Sequence, residues 1–539
     1  MTRVPPRCKT LERVLFVFRP RELKRMSGLP GSMGAGASNS PDSTIRPTRV
    51  RYEVLGWVCV LAMITYLDRA AFPNAEKQIK DAMGGDISQW AWTLAAFNLA
   101  YALFEIPTGY LGDVFGPRGT LIRIVLWWSC FTALTALAGL KVGGVVLLGF
   151  WGLVAVRFLF GIGEAGAFPN ITRALHNWLP YSERGWAQGL LWTTARLMGG
   201  LTPLVWLFLV DRFGLPWRGI FLVFGLVGLV WCVGFAFRFR NRPSECPWAN
   251  EAEKNLIREG TGGATEAAHS AVPWRKILLH PAVLLLSVEY CAISFSWYFN
   301  LNYLPEIMRV QFGVPKGDVV GALYKGGPLI LGAIGCLVGG WLTDRLIRKG
   351  AGIRFGRSLP GMIGTGLAAL CCLLATFPLM GNSALLFALA VGFSGFFNDL
   401  TLASSWAICQ DIGRRQAAIV AGTMNMIGNL GGFLGTVFTG WLIGGFQADF
   451  ATRNQVAISE SHAIQWVDKA RENLRAEGVN EPAKELVDKV ALGMERSASQ
   501  EGFRINLMIN ALVYVIAFLC WLGIDGSRPI LLEEEPPSP

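Results

Sequence analysis

The chain has 539 residues, of which 52% are hydrophobic and only 16% are charged, and its mean hydropathy is +0.40. A soluble core cannot bury so many apolar side chains, so the composition excludes an ordinary soluble domain and favours a membrane protein. The net charge of +11 would suit a nucleic-acid-binding protein, but the basic residues are distributed over short loops rather than collected in one patch.

Residues 1–50 combine basic residues with Gly, Ser and Pro, and their one apolar run, at 14–18, is too short for the core of a signal peptide. We expect this segment to be a disordered cytoplasmic tail outside the fold.

Twelve apolar stretches follow, each near the roughly 20 residues that cross the hydrocarbon core as a helix. They lie at 54–72, 88–110, 119–140, 146–168, 185–209, 218–237, 282–304, 320–342, 359–379, 384–408, 416–444 and 506–524. Glycines interrupt the fourth, fifth and eleventh stretches, so ten or fourteen spans are the alternatives. Eleven cysteines lie mostly within these stretches without metal-ligand spacing, which predicts apolar packing and no metal site.

Lys and Arg are concentrated in alternate loops, as in 345–357, while the loops between them contain few. Since cytoplasmic loops carry the excess of positive charge, we expect both termini on the cytoplasmic side of the cell membrane. The basicity then specifies topology, and the predicted partners are the lipid bilayer and a small solute rather than nucleic acid.

Two of these spans each contain a notable pair of ionisable residues: Asp68 and Arg69 in the first, and Arg157 and Glu164 in the fourth. Each residue costs roughly 2.5 to 3.5 kcal/mol on insertion scales, so such residues persist mainly where they are paired or functional. Asp68 and Arg69 point about 100° apart on a helix and cannot pair with each other, whereas Arg157 and Glu164 lie two turns apart on one face.

The chain also repeats itself at one offset. Residues 109–118 return as 340–349, which aligns Asp113 with Asp344, and residues 183–189 return 231 positions later near Arg415 (344 − 113 = 231). The repeat predicts two six-helix halves, 51–237 and 281–524, joined by a cytoplasmic linker at 238–280 and followed by a tail at 525–539. Parallel repeats of this kind place the substrate near the midplane of the membrane.

The string G-x-L-x-D-x-x-G-x-R at 109–118 resembles the signature loop of the major facilitator superfamily. The strings LDR at 67–69, FEIPTGYLGDVFGPRG at 104–119, RIVLWWSCFT at 123–132, RFLFGIGEAGAFPN at 157–170 and ERGWAQG at 183–189 resemble its anion:cation symporter family, close to the members for hexuronate, glucarate and galactonate. The resemblance implies secondary transport by a monomer of twelve helices, with protons as coupling ions and no other cofactor.

The resemblance also implies roles for individual residues. Asp68 and Glu164 match positions that couple protons, Arg69 and Arg157 match positions that engage the substrate carboxylate, and Tyr66 and Tyr101 match positions that contact sugar acids. Charge balance agrees with these roles, because the charges of the four ionised groups sum to zero. An entering anion would make the site negative, so it is tolerated better when one carboxylate is protonated. The alternative is an inert charge network that ties two helices together.

When the positions of the four charged residues are shifted by the repeat offset of 231, they fall on uncharged residues. We therefore predict that the second half lacks these charges. It offers uncharged polar and aromatic candidates for recognising substrate hydroxyls, namely Asn300, Ser404, Ser405, Trp406, Asn425 and Asn429. This asymmetry suits a polyhydroxylated acid.

Further ionisable residues depart from the family pattern: Arg196, Glu289, Lys325 and Asp399. They form either a second balanced network or, through Arg196 and Lys325, a site for the second carboxylate of a dicarboxylic acid.

Asp113, Arg118 and Asp344 are predicted to gate access by an Asp–Arg contact between loops and neighbouring helix ends; the alternative is simple topological charge. Residues 446–503 form a polar insertion on the outer side, with helical spacing at 463–478 and 481–495. Two short helices there would either cap the outer mouth or form a surface insertion.

The chain has no P-loop, GxSxG or HExxH string, so ATP-driven pumping and hydrolysis lack their chemistry and no enzyme is expected. Two rivals to the symporter remain at this stage. One is a transport-like sensor of an organic anion, and the other is an organophosphate antiporter with facing cations in both halves.

Overall fold

The computed structural model describes residues 46–83, 87–260, 272–314, 319–381, 383–458, 464–479 and 481–530, and nearly all of them are helical. The residues from Arg46 onward form one compact unit, within which both predicted halves pack together. The predicted tail up to residue 45, part of the linker (261–271) and residues 531–539 lie outside the described residues.

The N-terminal half contains eight helices among its described residues. These are α1 (Val50–Asn74), α2 (Glu76–Met83), α3 (Ile87–Phe115), α4 (Pro117–Thr135), α5 (Phe150–Glu164), α6 (Ala167–Trp178), α7 (Tyr181–Phe213) and α8 (Trp217–Arg238). A two-stranded antiparallel hairpin, β1 (Lys141–Val142) and β2 (Val145–Val146), turns between α4 and α5 through two glycines with positive φ.

The predicted fourth span is two helices rather than one. α5 ends at Glu164, and Gly166 takes the left-handed conformation (φ 78°, ψ 4°) before α6 begins. A Cβ at Gly166 would lie 2.5 Å from Cβ of Thr108, so the break also lets α3 pack closely. The break places the Glu164 carboxyl at the end of a helix, in the middle of the bundle.

The linker and the C-terminal half supply the remaining helices. They are a 3-10 turn (Pro243–Glu245), α9 (Glu251–Gly260), α10 (Trp274–Leu278), α11 (Pro281–Phe312), α12 (Val319–Leu346), a π turn (Ile347–Ala351), α13 (Gly352–Met380), α14 (Ala384–Gly413), a 3-10 turn (Arg414–Gln416), α15 (Ala417–Arg453), α16 (Trp466–Ala476) and α17 (Lys484–Gly523).

Each of the twelve predicted spans coincides with one of these helices or, for the fourth, with the pair α5 and α6. Seven helical segments of the described chain are long and apolar enough to cross a membrane by length and composition alone, or eight if the bent α7 counts as one span. Two of the seven, Gly326–Phe377 and Ala384–Arg453, each contain two successive helices of the fold.

The insertion before the last span is shorter than predicted. α15 continues to Arg453 and α17 begins at Lys484, so only residues 454–483 separate the two helices. The second predicted short helix is the first part of α17, because no proline interrupts the chain between Lys484 and Gly523. α16 packs on this extension through a small separate core, which contains Ala470, Leu474, Val487 and Ala491.

Glycines let the two halves approach closely on both sides of the bundle. A Cβ at Gly109 of α3 would lie 2.6 Å from the carbonyl oxygen of Ala418 in α15, and one at Gly189 of α7 would lie 2.5 Å from that of Cys336 in α12. Small residues at such contacts are the usual means of helix packing in membranes. The "loop end" is hereafter the end of the bundle where α3 ends and α15 begins, and the "insertion end" is the opposite one.

Candidate functional site: a central cavity with two arginines

A cavity of about 540 Å³, including solvent at its opening, lies between the two halves. The described residues that line it are Tyr66, Arg69, Tyr101, Phe168, Trp192 and Arg196 from the N-terminal half, and Tyr290, Ile293, Ser294, Trp297, Tyr298, Asn398, Leu402, Asn425 and Asn429 from the C-terminal half. Both cations of this lining belong to the N-terminal half, and the C-terminal half contributes uncharged groups.

Arg69 faces the cavity from α1 and is held from behind by α5. Its Nε donates a hydrogen bond of 2.5 Å to Oε1 of the fully buried Glu164. Its guanidinium lies 4.3 Å from the centre of the Tyr101 ring and 5.7 Å from that of Tyr66. The ion pair therefore leaves the Arg69 guanidinium between two aromatic rings at the cavity surface, and a guanidinium can bind a carboxylate.

Asp68 and Arg157 lie behind this lining rather than in it. Neither oxygen of the buried Asp68 has a hydrogen-bond partner among the described residues, although Glu164 and Arg157 are close enough to act on it electrostatically. The Arg157 guanidinium lies 4.2 Å from the Phe72 ring centre and 4.9 Å from that of Phe97. The predicted four-residue cluster thus contains one direct ion pair, Arg69–Glu164, in the described chain.

The prediction that Arg157 contacts the substrate does not fit this geometry. Arg157 is seven residues before Glu164 on α5, and its long side chain ends between phenylalanine rings away from the cavity. In the described chain the Nε of Arg157 has no hydrogen-bond partner. Among the described residues, Arg157 interacts electrostatically with Asp68, Glu164 and Arg69.

Arg196 is the second cation of the lining, and it joins the two halves. Its Nε and Nη2 donate to Oδ2 and Oδ1 of Asp399 on α14, at 2.8 and 3.1 Å. The guanidinium also stacks on Trp297 of α11, 3.9 Å from the ring centre, and its Nη1 donates to Oη of Tyr66 at 3.4 Å. Of the residues in the predicted second network, Arg196 and Asp399 form an ion pair in this conformation.

Three predicted substrate contacts in the C-terminal half do not line the cavity within the described residues: Asn300, Ser404 and Trp406. Asn300 lies two turns beyond the lining residue Ile293 on α11, but it is not itself among the described lining residues. Ser404 is fully buried on the side of α14 opposite Leu402.

Trp406 forms the floor beneath the cavity instead of its wall. It lies one turn beyond Leu402, and its ring centre is 5.2 Å from that of Trp192. Its Nε1 donates to Oη of Tyr290 at 3.1 Å, and Phe168 stacks on Trp192 with ring centres 4.6 Å apart. The aromatic stack closes the site towards the loop end.

Asn425, predicted from sequence, does line the cavity, and it reveals a carboxyl that the sequence reasoning missed. Its Nδ2 donates to Oε1 of Glu105 at 2.5 Å and to Oη of Tyr101 at 3.4 Å, across the two halves. Glu105 is fully buried in α3, and its Oε2 has no partner in the described part of the chain. The sequence did contain a signal for Glu105, because a glutamate within the predicted second span is costly unless it has a role.

The C-terminal half provides further contacts that were not predicted. Tyr290, Ser294 and Tyr298 lie on one face of α11, and Asn398 on α14 accepts a hydrogen bond of 2.9 Å from Tyr514. Polar residues at helical spacing in the seventh span would have indicated them.

The loop end is closed by two related contacts. Asp113 on α3 accepts hydrogen bonds from the backbone N–H groups of Ala418 and Ile419, at 3.2 and 2.8 Å, at the first turn of α15. Asp344 on α12 accepts from Gly185 and Trp186 near the start of α7, at 3.0 and 2.6 Å. Each carboxylate meets the positive end of a helix from the other half.

Buried ion pairs reinforce this closure. Arg184 of α7 binds Asp411 of α14 at 2.8 Å, and Asp411 also accepts from Arg357, which binds Asp344 at 2.9 Å. Sequence reasoning did not single out Arg357 or Asp411, because charges at span ends look like topological charge. Among the described residues, no hydrogen bond or ion pair links the halves beyond the level of Arg196 and Asn425 towards the insertion end.

Arg118 does not make the predicted Asp–Arg contact among the described residues in this conformation. Arg118 follows Gly116 and Pro117 in the first turn of α4, where its Nη2 donates to the carbonyl oxygen of Ala236 within its own half. The cation beside Asp113 is Arg173 of α6, with Nε 3.5 Å from Oδ1. The break at Gly166 turns α6 so that Arg173 reaches this place.

Glu289, another of the unusual ionisable residues, is not among the described lining residues. Glu289 is buried inside the C-terminal half and accepts a hydrogen bond of 3.2 Å from Ser405. Lys325 lies in α12, and its side chain falls outside what the structure describes. Within the described residues, no three His, Cys, Asp or Glu side chains come together as metal ligands would.

A family model for the Major Facilitator Superfamily matches residues 58–436. The chain belongs to the major facilitator superfamily. The predicted fold class, an all-α multi-pass membrane protein of this superfamily, is thereby confirmed, and so is the expectation that it is not an enzyme.

Relatives in this superfamily are named as anion transporters. The chain is 34% identical over 395 residues to a probable sulfoacetate transporter from Cupriavidus necator, covering 73% of this chain and 88% of the relative. It is 27% identical over 422 residues to a D-galactonate transporter from Escherichia coli O6:H1, covering 75% and 92%. The predicted likeness to sugar-acid transporters is confirmed.

The fold matches that of solved members. A proton:xylose symporter bound to a bromo-deoxyglucose superposes with a TM-score of 0.64 at 11% identity, over 89% of this chain and 98% of that one. At this identity the match concerns the fold alone.

Proposed function

We propose that this secondary transporter of organic anions is a proton-coupled symporter, in which Asp68 carries the coupled proton and Arg69 binds the anionic group of the substrate. The observation that carries the proposal is the position of Asp68, which is buried beside the Arg69–Glu164 pair with neither oxygen partnered in the described chain. A buried ionised carboxylate without partners costs several kcal/mol, whereas the protonated acid avoids this cost. Asp68 is therefore protonated in this conformation.

Protonation of Asp68 gives the cluster a net charge of +1. Arg69 and Arg157 contribute two positive charges and Glu164 one negative charge, so a bound monoanion makes the site neutral. Loss of the proton restores a neutral empty cluster and expels the anion, because the loaded site would then carry a net negative charge in a medium of low dielectric constant. Proton and anion thus move together.

The closed loop end defines the direction of access. The helix-end contacts of Asp113 and Asp344 hold the halves together at the loop end, and we infer that the cavity opens at the insertion end. Since the basic loops lie at the loop end, the positive-inside bias makes it cytoplasmic. The conformation is then open to the outside of the cell membrane, as an importer needs for loading.

The lining and the relatives support the substrate class that we propose. Arg69 supplies a carboxylate site, and Ser294, Tyr298, Asn398 and Asn429 offer uncharged partners to hydroxyl or similar polar groups. A sugar acid or a short sulfo-acid has this combination of groups. An organophosphate antiporter would face the site with cations from both halves, whereas Arg69 and Arg196 both belong to the N-terminal half.

The test separates binding from coupling in proteoliposomes. Asp68→Asn and Glu164→Gln proteins are compared with wild type in two assays, counterflow and accumulation driven by a proton gradient, with D-galactonate and sulfoacetate as probes. We expect Asp68→Asn to keep counterflow and lose accumulation, because the proton step is removed while Arg69 remains.

The control is Asp449→Asn, which changes an exposed carboxylate on α15. Accumulation by Asp68→Asn at the wild-type level would disprove the assigned role of Asp68. Absence of counterflow in wild type with both probes would mean that the substrate class is wrong.

A further inference from the structure

Building on the proposed function, we infer that Arg196 and Asp399 form a second, openable anion subsite, so that this transporter takes substrates with two anionic groups. Arg196 lines the same cavity as Arg69. The two N–H groups that form its guanidinium fork, Nε and Nη2, both donate to Asp399. An anionic group of the substrate takes the place of Asp399 on this fork.

The two arginines are placed to hold one short molecule at both ends. The Tyr66 ring lies between them, with its centre 5.7 Å from the Arg69 guanidinium and its Oη 3.4 Å from Nη1 of Arg196. A carbon chain of a few atoms spans one phenol ring. Trp297 keeps the Arg196 guanidinium facing the cavity when the fork opens, because the stacking does not use its N–H groups.

The ion pair between Asp399 and Arg196 can open during transport. Its carboxylate joins α14 of one half to α7 of the other, so rocking of the halves changes this contact. Gly332 of α12 leaves the space behind it, since a Cβ there would lie 2.5 Å from Oδ2. Asn398 donates to Oδ1 at 3.1 Å and remains as a neutral partner.

Charge balance then sets the number of protons. With a dianion bound, Asp68 protonated and Asp399 ionised, the site would carry a net charge of −1. A second proton bound in the loaded site restores neutrality once the substrate has displaced Asp399 from Arg196. The groups that act on Asp399 from the surrounding helices are Arg196 of α7, Cys336 of α12 and Tyr514 of α17, besides Asn398 on its own helix. The inference therefore gives two protons per dianion and one per monoanion.

The experiment compares matched probes that differ by one anionic group, galactarate against D-galactonate and sulfoacetate against acetate. The affinity of each is measured by competition with counterflow in wild type and in the double variant Arg196→Gln/Asp399→Asn, which removes both charges and avoids a buried unpaired one. We expect the affinity for the dianion to fall at least about tenfold, the loss of one charge-assisted hydrogen bond or more, while that for the monoanion changes less than about threefold. Protons per dianion fall from two to one.

Arg212→Gln, at an exposed arginine in the last turn of the same helix, is the matched control and should leave all affinities unchanged. The second subsite would be overturned if the double variant lost equal affinity for both members of a probe pair. It would also be overturned if the double variant lost no affinity for the dianion. If wild type carries the monoanions with protons but shows no preference for dianions, the subsite fails while the proposed function stands. If none of the four probes is bound, both fail.

Discussion

The contact of Asp113 with the start of α15 is expected to hold the loop end closed, and Asp113→Asn should release it. The carboxylate accepts two backbone N–H groups from the other half, whereas the amide offers one oxygen. Two charge-assisted hydrogen bonds contribute about 1.5–3 kcal/mol each, and the amide retains one neutral bond of about 0.5–1.5 kcal/mol. The net loss is about 3 kcal/mol, which corresponds to about a hundredfold change in an equilibrium constant.

This loss affects only the state in which the loop end is closed, because the contact joins the halves. A hundredfold shift reduces a state populated at about 90% to about 10%. Ser294→Cys on the cavity wall, in a background without other reactive cysteines, reports this population through its rate of reaction with a membrane-impermeant maleimide added at the insertion end. We expect the rate to fall about tenfold in the Asp113→Asn protein.

Asp449→Asn serves as the control at the opposite end of α15 and should leave the labelling rate unchanged. Wild-type labelling in Asp113→Asn protein, at normal expression, would refute the idea that a carboxylate at a helix start closes the loop end. A similar fall in Asp344→Asn protein is required by the pseudo-symmetry of the two contacts.

Two further predictions concern groups that the sequence reasoning missed or placed differently. Glu105→Gln should retain counterflow and gradient-driven accumulation within about threefold, because Gln keeps an oxygen for Asn425 and Glu105 forms no ion pair among the described residues; loss of accumulation alone would instead make Glu105 a third coupling carboxyl. Leu474→Ala should destabilise the packing of α16 on α17 by about 2–4 kcal/mol, seen as faster proteolysis within 454–483, while transport is unchanged; slower transport would mean that this segment takes part in gating.

Much of the site was predictable because its chemistry is costly in a membrane. The penalty on buried charge marked Asp68, Arg69, Arg157 and Glu164, and the internal repeat aligned Asp113 with Asp344. The same reasoning applied to the second span would have found Glu105. By contrast, Arg157 and Arg118 were assigned contacts that their side chains do not make, since direction depends on helix rotation and on the break at Gly166.

The sequence by itself determined the spans, the two halves and the charge asymmetry between them, because apolar length and charge are properties of the residues. Only the tertiary structure decided which groups meet: Arg69 with Glu164, Arg196 with Asp399, and Asp113 with the start of α15. These partners are far apart in the chain and belong to different helices, so their pairing depends on helix rotation and on glycine contacts between helices. The same packing left Asp68 beside a paired arginine without a partner of its own in the described chain, and this position makes it suited to carry a proton.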